Sequence, residues 1–217
     1  PPTPELLFYN NSDKVVMITG AGGSIGSELC RQVLALKPSK LVLYDQSEFA
    51  LYTIRETLTA LPKSWGKSIE IVAILGSVLD QQKVEQTLRT HSVDTIYHAA
   101  AYKHVPLVEE NPFEGIRNNV FGTRTVAKAA SACSVASFTL ISTDKAVRPT
   151  NIMGASKRLA ELVCQAEAKV ADETIFSMVR FGNVLGSSGS VIPKFQEQIA
   201  KGGPVTVTHK DINRYFM

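Results

Sequence analysis

The sequence predicts an α/β chain built on a doubly wound parallel sheet with helices on both faces. Three observations carry this. Short β-branched apolar runs alternate with segments of helical period, strand and helix follow one another six times, and a glycine cluster joins the first strand directly to the first helix. Strands buried on both faces read as continuous apolar runs, and right-handed crossovers between them open a ligand crevice at their carboxyl ends.

The strands are expected at residues 14–19, 40–44, 69–74, 95–98, 137–141 and 174–180, and the helices at 24–36, 48–61, 80–90, 112–132, 151–170 and 191–201. Asn111 ahead of Pro112 supplies a cap-and-proline start for the fourth helix. Residues 1–13 read as an N-terminal extension, 14–181 as a dinucleotide-binding domain that also holds the catalytic residues, and 182–217 as the start of a small, truncated substrate-binding lobe. Pro1-Pro2-Thr3-Pro4 is neither a signal peptide nor an initiator sequence, so the chain reads as an excised fragment.

The 217 residues are 44% hydrophobic, enough for one sizeable core. The net charge of +3 comes from 23 basic and 20 acidic residues without a Lys/Arg run, which argues against a nucleic-acid partner. Cys30, Cys133 and Cys164 are far apart and lack CxxC spacing, as reduced buried thiols in a reducing compartment would be. No run of eighteen apolar residues spans a membrane.

The first strand enters Thr19-Gly20-Ala21-Gly22-Gly23-Ser24-Ile25-Gly26, and a helix follows at once. Gly20 permits a tight turn, Gly23 lets the backbone approach a pyrophosphate, and Gly26 allows close helix packing. Ser24 and Ile25 open the helix whose N–H groups and dipole favour phosphate. Together they form a Rossmann-type dinucleotide site, and the spacing of Gly20, Gly23 and Gly26 resembles that of short-chain dehydrogenases. Asp45 closes the second strand and is followed by Gln46, where an acid is expected on the adenosine ribose. A 2′-phosphate would meet a like charge at Asp45, so NAD is expected and NADP is the less favoured cofactor. Asp45 could instead cap the next helix, a role Ser47 could also fill. Ser77 and Val78 follow the third strand at the adenine end, and Asp80 could be a helix N-cap.

The fourth strand ends in His98-Ala99-Ala100-Ala101-Tyr102-Lys103-His104. The small residues Ala99, Ala100 and Ala101 would let a cofactor lie against the strand ends. His98 and His104 lack metal-site spacing, so packing or hydrogen bonding is their expected role and no metal is expected. Lys103 at the crevice mouth could bind substrate, or could be a solvated loop lysine. The fifth strand delivers Thr143, Asp144 and Lys145 to the crevice edge, and Met153 stands one helical turn ahead of Lys157 on the same helix face.

From Gly20 through Ser142-Thr143-Asp144-Lys145, Asn151-Ile152-Met153-Gly154-Ala155-Ser156-Lys157 and Arg180-Phe181-Gly182-Asn183, the chain closely resembles a known family. These are the polysaccharide-biosynthesis (CapD-like) nucleotide-sugar 4,6-dehydratases of the extended short-chain dehydrogenase/reductase family. That family usually has a catalytic Tyr where this chain has Met153. The exchange resembles one branch, the membrane-anchored UDP-N-acetylglucosamine 4,6-dehydratases. Where the family often has Gly-Asp-Val, this chain has Gly76-Ser77-Val78.

The resemblance implies NAD-dependent dehydration of a UDP-sugar, most specifically UDP-N-acetylglucosamine, to a 4-keto-6-deoxy sugar. Hydride leaves C4 for NAD, the C5 proton and C6 hydroxyl depart, and hydride returns to C6. Asp144 would protonate the C6 hydroxyl, Lys145 would take the C5 proton once neutral, Thr143 would hold the C4 hydroxyl, and Lys157 would hold the nicotinamide ribose. With Met153 unable to carry a proton, Asp144, directly or through Thr143 or water, is the candidate base for the C4 hydroxyl. Asn119, in Asn119-Val120-Phe121-Gly122-Thr123, would support the active-site backbone and is counted among the cofactor-binding residues.

The resemblance also places substrate contacts at Asn183, Val184, Val191, Ile192 and Arg214, the first four around a loop with amides suited to a diphosphate. It implies a cytoplasmic domain of an inner-membrane protein, and a homo-oligomer is expected. A 4-epimerase and a catalytically silent NAD-binding regulator are the alternatives. An epimerase needs neither a C5 base nor a C6 acid, and a pure binder has no use for the Asp144-Lys145 pair.

Overall fold

The computed structural model describes residues 4–61, 69–184 and 191–207. Six parallel strands, β1 (Val15–Thr19), β2 (Lys40–Asp45), β3 (Glu70–Leu75), β4 (Thr95–His98), β5 (Ser137–Thr143) and β6 (Ile175–Phe181), form one sheet in the order β3-β2-β1-β4-β5-β6. The doubly wound fold is thus present, and its strand order reverses between β1 and β4. There β1 ends at Thr19 opposite His98, which opens the crevice between the glycine turn and the β4 end.

The helices are α1 (Pro4–Tyr9), α2 (Ser24–Ala35), α3 (Glu48–Thr59), α4 (Gln81–His91), α5 (Val105–Glu110), α6 (Pro112–Ile116), α7 (Gly122–Ala132), α8 (Ile152–Ala168) and α9 (Val191–Ala200). Two apolar clusters sandwich the sheet. One gathers Val16, Ile18, Leu41 and Leu43 with Leu34, Leu51 and Leu58 of α2 and α3. The other gathers Met17, Val42, Phe138 and Leu140 with Leu88, Val126 and Ala160 of α4, α7 and α8. Alternate residues of β1 and β2 go to opposite clusters, which is why these strands had to be apolar throughout.

Several expectations need correction. The segment expected as one helix over 112–132 is broken by a π-helical turn, Arg117–Phe121, between α6 and α7. Asn111 does stand at the N-cap of α6 ahead of Pro112, but its side chain makes no capping hydrogen bond, and its amide donates to Leu107 O at 3.0 Å. Helices α1 and α5 were not expected. The first lies in a proline-rich stretch and the second is only six residues long with proline in its first turn, so neither shows a period. Residues 10 and 11 dock on the sheet through Asn10 O, which accepts from Thr95 Oγ1, and through the buried Asn11, which exchanges hydrogen bonds with Tyr97. Cys30 and Cys164 are buried free thiols, whereas Cys133 is only partly buried.

The strands are also not uniformly covered. β5 alternates buried and half-buried residues, and β6, at the sheet edge, leaves Ile175 71% and Val179 43% exposed. Among the described residues, no helix is long and apolar enough to cross a membrane.

Candidate functional site

The glycine turn is shaped by backbone constraints that only glycine meets. Gly20 has φ +67°, and a Cβ there would run into the Ala100 backbone; a Cβ on Gly26 would overlap the Gly20 carbonyl, so α2 seats directly on the turn. A Cβ on Gly23 would meet only Gly20 O, at 3.3 Å. Gly23 is also the N-cap of α2 and brings no side-chain cap, so the helix opens with its leading N–H groups beside the turn.

A cavity of ≈ 230 Å³ lies at this point, walled by Gly20, Gly23, Asp45, Gln46 and Ala99–Ala101, with Val78 and Asn118 beneath. Eight of the expected cofactor residues therefore share one cavity. Ser24, Ile25, Gly26, Ser77, Asn119 and Lys157 do not wall it. Gly26 shapes the turn from behind, and Ser77 spends its Oγ on Leu79 N at 3.2 Å.

Asp45 ties the turn to the second strand. Its Oδ2 accepts from Gly22 N at 2.8 Å and its Oδ1 from Ser47 N at 2.9 Å. Ser47, not Asp45, caps α3 by accepting from Ala50 N, and Asp80 caps α4 by accepting from Lys83 N at 3.0 Å. Sequence reasoning missed Tyr102, whose hydroxyl accepts from Gln46 Nε2 at 3.3 Å and so reaches across the cavity mouth. An aromatic directly after three alanines at a strand end was the available signal.

The β4 end is held by Asn119, which is 1% exposed. Its Oδ1 accepts from Tyr102 N at 2.7 Å, and its Nδ2 donates to Tyr102 O at 3.0 Å and to Ser156 Oγ at 3.0 Å. Asn119 therefore supports this loop from behind, the backbone role expected of it. Lys103 stands exposed on that loop, and the partial burial of its amine lowers its pKa. Among the described residues, no cluster of His, Cys, Asp and Glu could hold a metal.

The residues expected to be catalytic come together at the end of β5, where Asp144–Ala146 form one 3₁₀ turn. Thr143 Oγ1 donates to Asp144 Oδ1 at 2.9 Å, and Lys145 Nζ donates to the same oxygen at 3.1 Å and to Asn183 Oδ1 at 3.1 Å. Partial burial pushes the Asp144 carboxyl up, but the hydrogen bonds from Lys145 and Thr143 outweigh it and hold the pKa below its usual value. Asp144 thus rests as a carboxylate. On α8, Met153 is 4% exposed and Lys157 6%. Lys157 Nζ donates to Ile141 O at 2.6 Å, and burial pulls its pKa down to about 8.

Behind this edge lies a cluster that the sequence did not announce. Glu161, fully buried, accepts from Ser142 Oγ at 2.6 Å, from Arg158 at 2.9 Å, and from Arg180 Nε and Nη2 at 2.8 and 2.6 Å. Burial pushes its pKa up, yet these donors prevail and set it at about 2. Glu161 thereby clamps β5, β6 and α8 together one residue before Thr143. A glutamate one turn after Lys157 reads as solvated in sequence, and only the strand pairing of Ser142 with Arg180 reveals its partners. Asn183 joins the site through Lys145, Val184 follows it half-buried, and Ile192 lies in the first turn of α9. The Val191 side chain, residues 185–190 and Arg214 lie outside the described residues.

The sequence profile of a family described as polysaccharide biosynthesis protein matches residues 16–217. Capsular polysaccharide biosynthesis protein CapD of Staphylococcus aureus is 50% identical over 98% of the chain, which spans only 35% of CapD. A UDP-glucose 4-epimerase of Rickettsia canadensis is 35% identical over 94% of the chain and 59% of its own length. Among solved structures, Pen from Bacillus thuringiensis superposes with a TM-score of 0.87 at 36% identity, covering 96% of this chain and 64% of Pen. DesIV, a dTDP-glucose 4,6-dehydratase of Streptomyces venezuelae with NAD and TYD bound, superposes with a TM-score of 0.78, covering 88% of this chain and 63% of DesIV. At 24% identity DesIV speaks for the fold alone.

Proposed function

The chain belongs to this polysaccharide biosynthesis protein family, with the extended short-chain dehydrogenase/reductase fold, and on that premise we propose that it dehydrates a UDP-sugar, UDP-N-acetylglucosamine first, to a 4-keto-6-deoxy product with NAD bound. The observation that carries the reading is the hydrogen-bonded trio Thr143-Asp144-Lys145 beside a buried Met153.

The cavity fits NAD. Gly20 and Gly23 line it at the start of α2, whose leading N–H groups suit a pyrophosphate, the alanines form an apolar floor, and Asp45 with Gln46 closes the ribose end. Bound there, NAD would accept hydride from C4 of the sugar and return it to C6. Lys157 would hold the nicotinamide ribose, and Asn183 and Ile192 would line the sugar-nucleotide side.

The protein's own groups handle three protons. The C4 hydroxyl gives its proton to Thr143 Oγ1 as Thr143 passes its own to Asp144, which is a carboxylate poised to receive it. Protonated Asp144 then delivers that proton to the departing C6 hydroxyl, which leaves as water. Neutralising Asp144 also removes the counter-charge of Lys145, whose ammonium proton escapes to solvent on its 35% exposed side chain. The free amine takes the C5 proton and gives it back to C5 when hydride reaches C6. Lys145 then regains its ammonium proton from solvent, so the balance is one water lost with Asp144 and Lys145 restored. The inner-membrane setting implied by the resemblance, and a homo-oligomeric state, belong to the same proposal.

A 4-epimerase is the second reading, favoured by the Rickettsia relative. It needs hydride out and back at C4 only, so Asp144 would still serve the C4 hydroxyl through Thr143, but Lys145 would have no C5 proton to take. Mass spectrometry of the whole protein with NAD and UDP-N-acetylglucosamine decides between them. Loss of one water supports dehydration; unchanged mass with inverted C4 in the NMR spectrum replaces it by epimerisation.

A further inference from the structure

We propose that His98 is a positioning residue, a neutral imidazole protonated at Nε2 alone, which ties the floor of the cofactor cavity to the helix bearing Met153 and Lys157. The proton inventory of its neighbours fixes the tautomer. The single hydroxyl proton of Thr123 goes to Asn119 O at 2.7 Å, so at 3.0 Å from His98 Nε2 the Thr123 oxygen acts as acceptor and Nε2 carries hydrogen. On the other side Thr19 Oγ1 lies 2.7 Å from Nδ1 and accepts from Ala100 N at 3.5 Å. With Nδ1 bare, Thr19 donates to it and every group in the row is satisfied. A second proton on the ring would take that acceptor from Thr19.

The surroundings disfavour a charged ring as well. His98 is 0% exposed, Phe138 of β5 lies tilted against it at 5.8 Å between centroids, and the charged group acting on it is Lys157 of α8, a cation. Burial and that cation lower the pKa to about 3.

The row of donors runs in one direction: Ala100 N–H to Thr19, Thr19 to His98, His98 to Thr123, Thr123 to Asn119. Asn119 holds both backbone groups of Tyr102 and donates to Ser156, whose hydroxyl donates to Met153 O at 2.7 Å. Thr19 immediately precedes Gly20, and Ala100 walls the cavity. Displacing His98 therefore shifts the glycine turn at one end and the loop in front of α8 at the other.

Two substitutions separate the ends. His98→Asn keeps an acceptor near the Nδ1 position for Thr19 but does not reach Thr123; His98→Gln keeps a donor near Nε2 but frees Thr19. Loss of one buried hydrogen bond corresponds to about tenfold in affinity. The expected result is an NAD Kd weakened about tenfold in His98→Gln and within about threefold of wild type in His98→Asn. His98→Asn should instead lower turnover of UDP-N-acetylglucosamine by about 10-fold to 10²-fold, the weight of a small misplacement of reacting groups. Nitrogen-15 spectra of the wild-type protein should show His98 as the Nε2–H tautomer, untitrated from about pH 5 to 8. Only its turnover arm rests on the proposed reaction. A wild-type protein without turnover sinks that reaction and leaves the NAD and tautomer measurements intact. A titrating or Nδ1-protonated His98, or equal NAD Kd values in wild type and His98→Gln, overturns the positioning role, and should neither variant fold, the wild-type spectrum decides.

Discussion

The two halves of the sheet are built differently. On the cofactor side, β1 and β2 are buried on both faces, and the turn beyond them is fixed by backbone: a positive φ at Gly20, Gly26 seated on the Gly20 carbonyl, and backbone amides caught by Asp45. On the side proposed to be catalytic, β5 and β6 expose part of each strand, and the site is fixed by side chains: Thr143, Lys145 and Asn183 around Asp144, with Glu161 and two arginines behind. A dinucleotide offers the same phosphates in every protein that binds it, so glycines and N–H groups suffice to hold it. Proton transfer needs ionisable groups held at hydrogen-bond distance, and those must be braced individually.

The sharpest way to break the contrast is Lys145→Ala. Turnover should fall by about 10²–10⁴ with NAD affinity unchanged, since the amine of Lys145 bonds Asp144 and Asn183 and not the walls of the cofactor cavity. Steady-state kinetics and NAD titration read the two effects separately, and a parallel loss of both would merge the halves.

Acid stability tests the seam between them. The His98 pKa falls from 6.5 in the unfolded chain to about 3 in the fold, so its contribution is complete above about pH 6.5 and is lost as pH falls toward 3. The slope from this group approaches 1.4 kcal/mol per pH unit at most, and urea unfolding at pH 7, 5 and 4 should show it in wild type but not in His98→Gln.

On the catalytic side alone, Glu161→Gln leaves two guanidinium groups without their carboxylate. A stability loss of about 1–2 kcal/mol is expected, since both arginines are partly exposed to water, together with slower turnover, because Ser142 precedes Thr143. Denaturant midpoints with the m-value held constant measure it. On the cofactor side, Gly26→Ala should cost about 1–3 kcal/mol by overpacking and weaken NAD binding without altering the pH profile of turnover. The smallest effect belongs to the uncovered edge: Val179→Thr should change the unfolding free energy by no more than about 0.5 kcal/mol.

The same division explains what could be read in the sequence. Backbone devices leave a local signature, so the glycine turn, the alanine floor and all six strands were visible, the strands to within a residue or two at their ends. Thr143, Asp144 and Lys145 were visible because three reactive side chains sit in a row. Contacts between distant segments left no such mark. Glu161 looks like any helix-surface acid until β5 and β6 pair, and Tyr102 looks like a loop aromatic until the β2 and β4 ends are brought together. Asp45 was expected on a ribose, and its place in the chain gave no hint that both oxygens are engaged by Gly22 and Ser47. The π turn was hidden because it is defined by backbone hydrogen bonds and not by residue type.

That turn also sets a length requirement. A π turn adds about one residue to an α-helix and rotates everything after it by about 100°. In residues 117–121 the extra residue lets Asn118 face the cavity while Asn119 and Thr123 still point at Tyr102 and His98. Shortening this stretch by one residue would rebuild a more regular helix yet swing its polar side chains off their partners. The segment should therefore accept many substitutions at Phe121, which is half exposed, and no single-residue deletion.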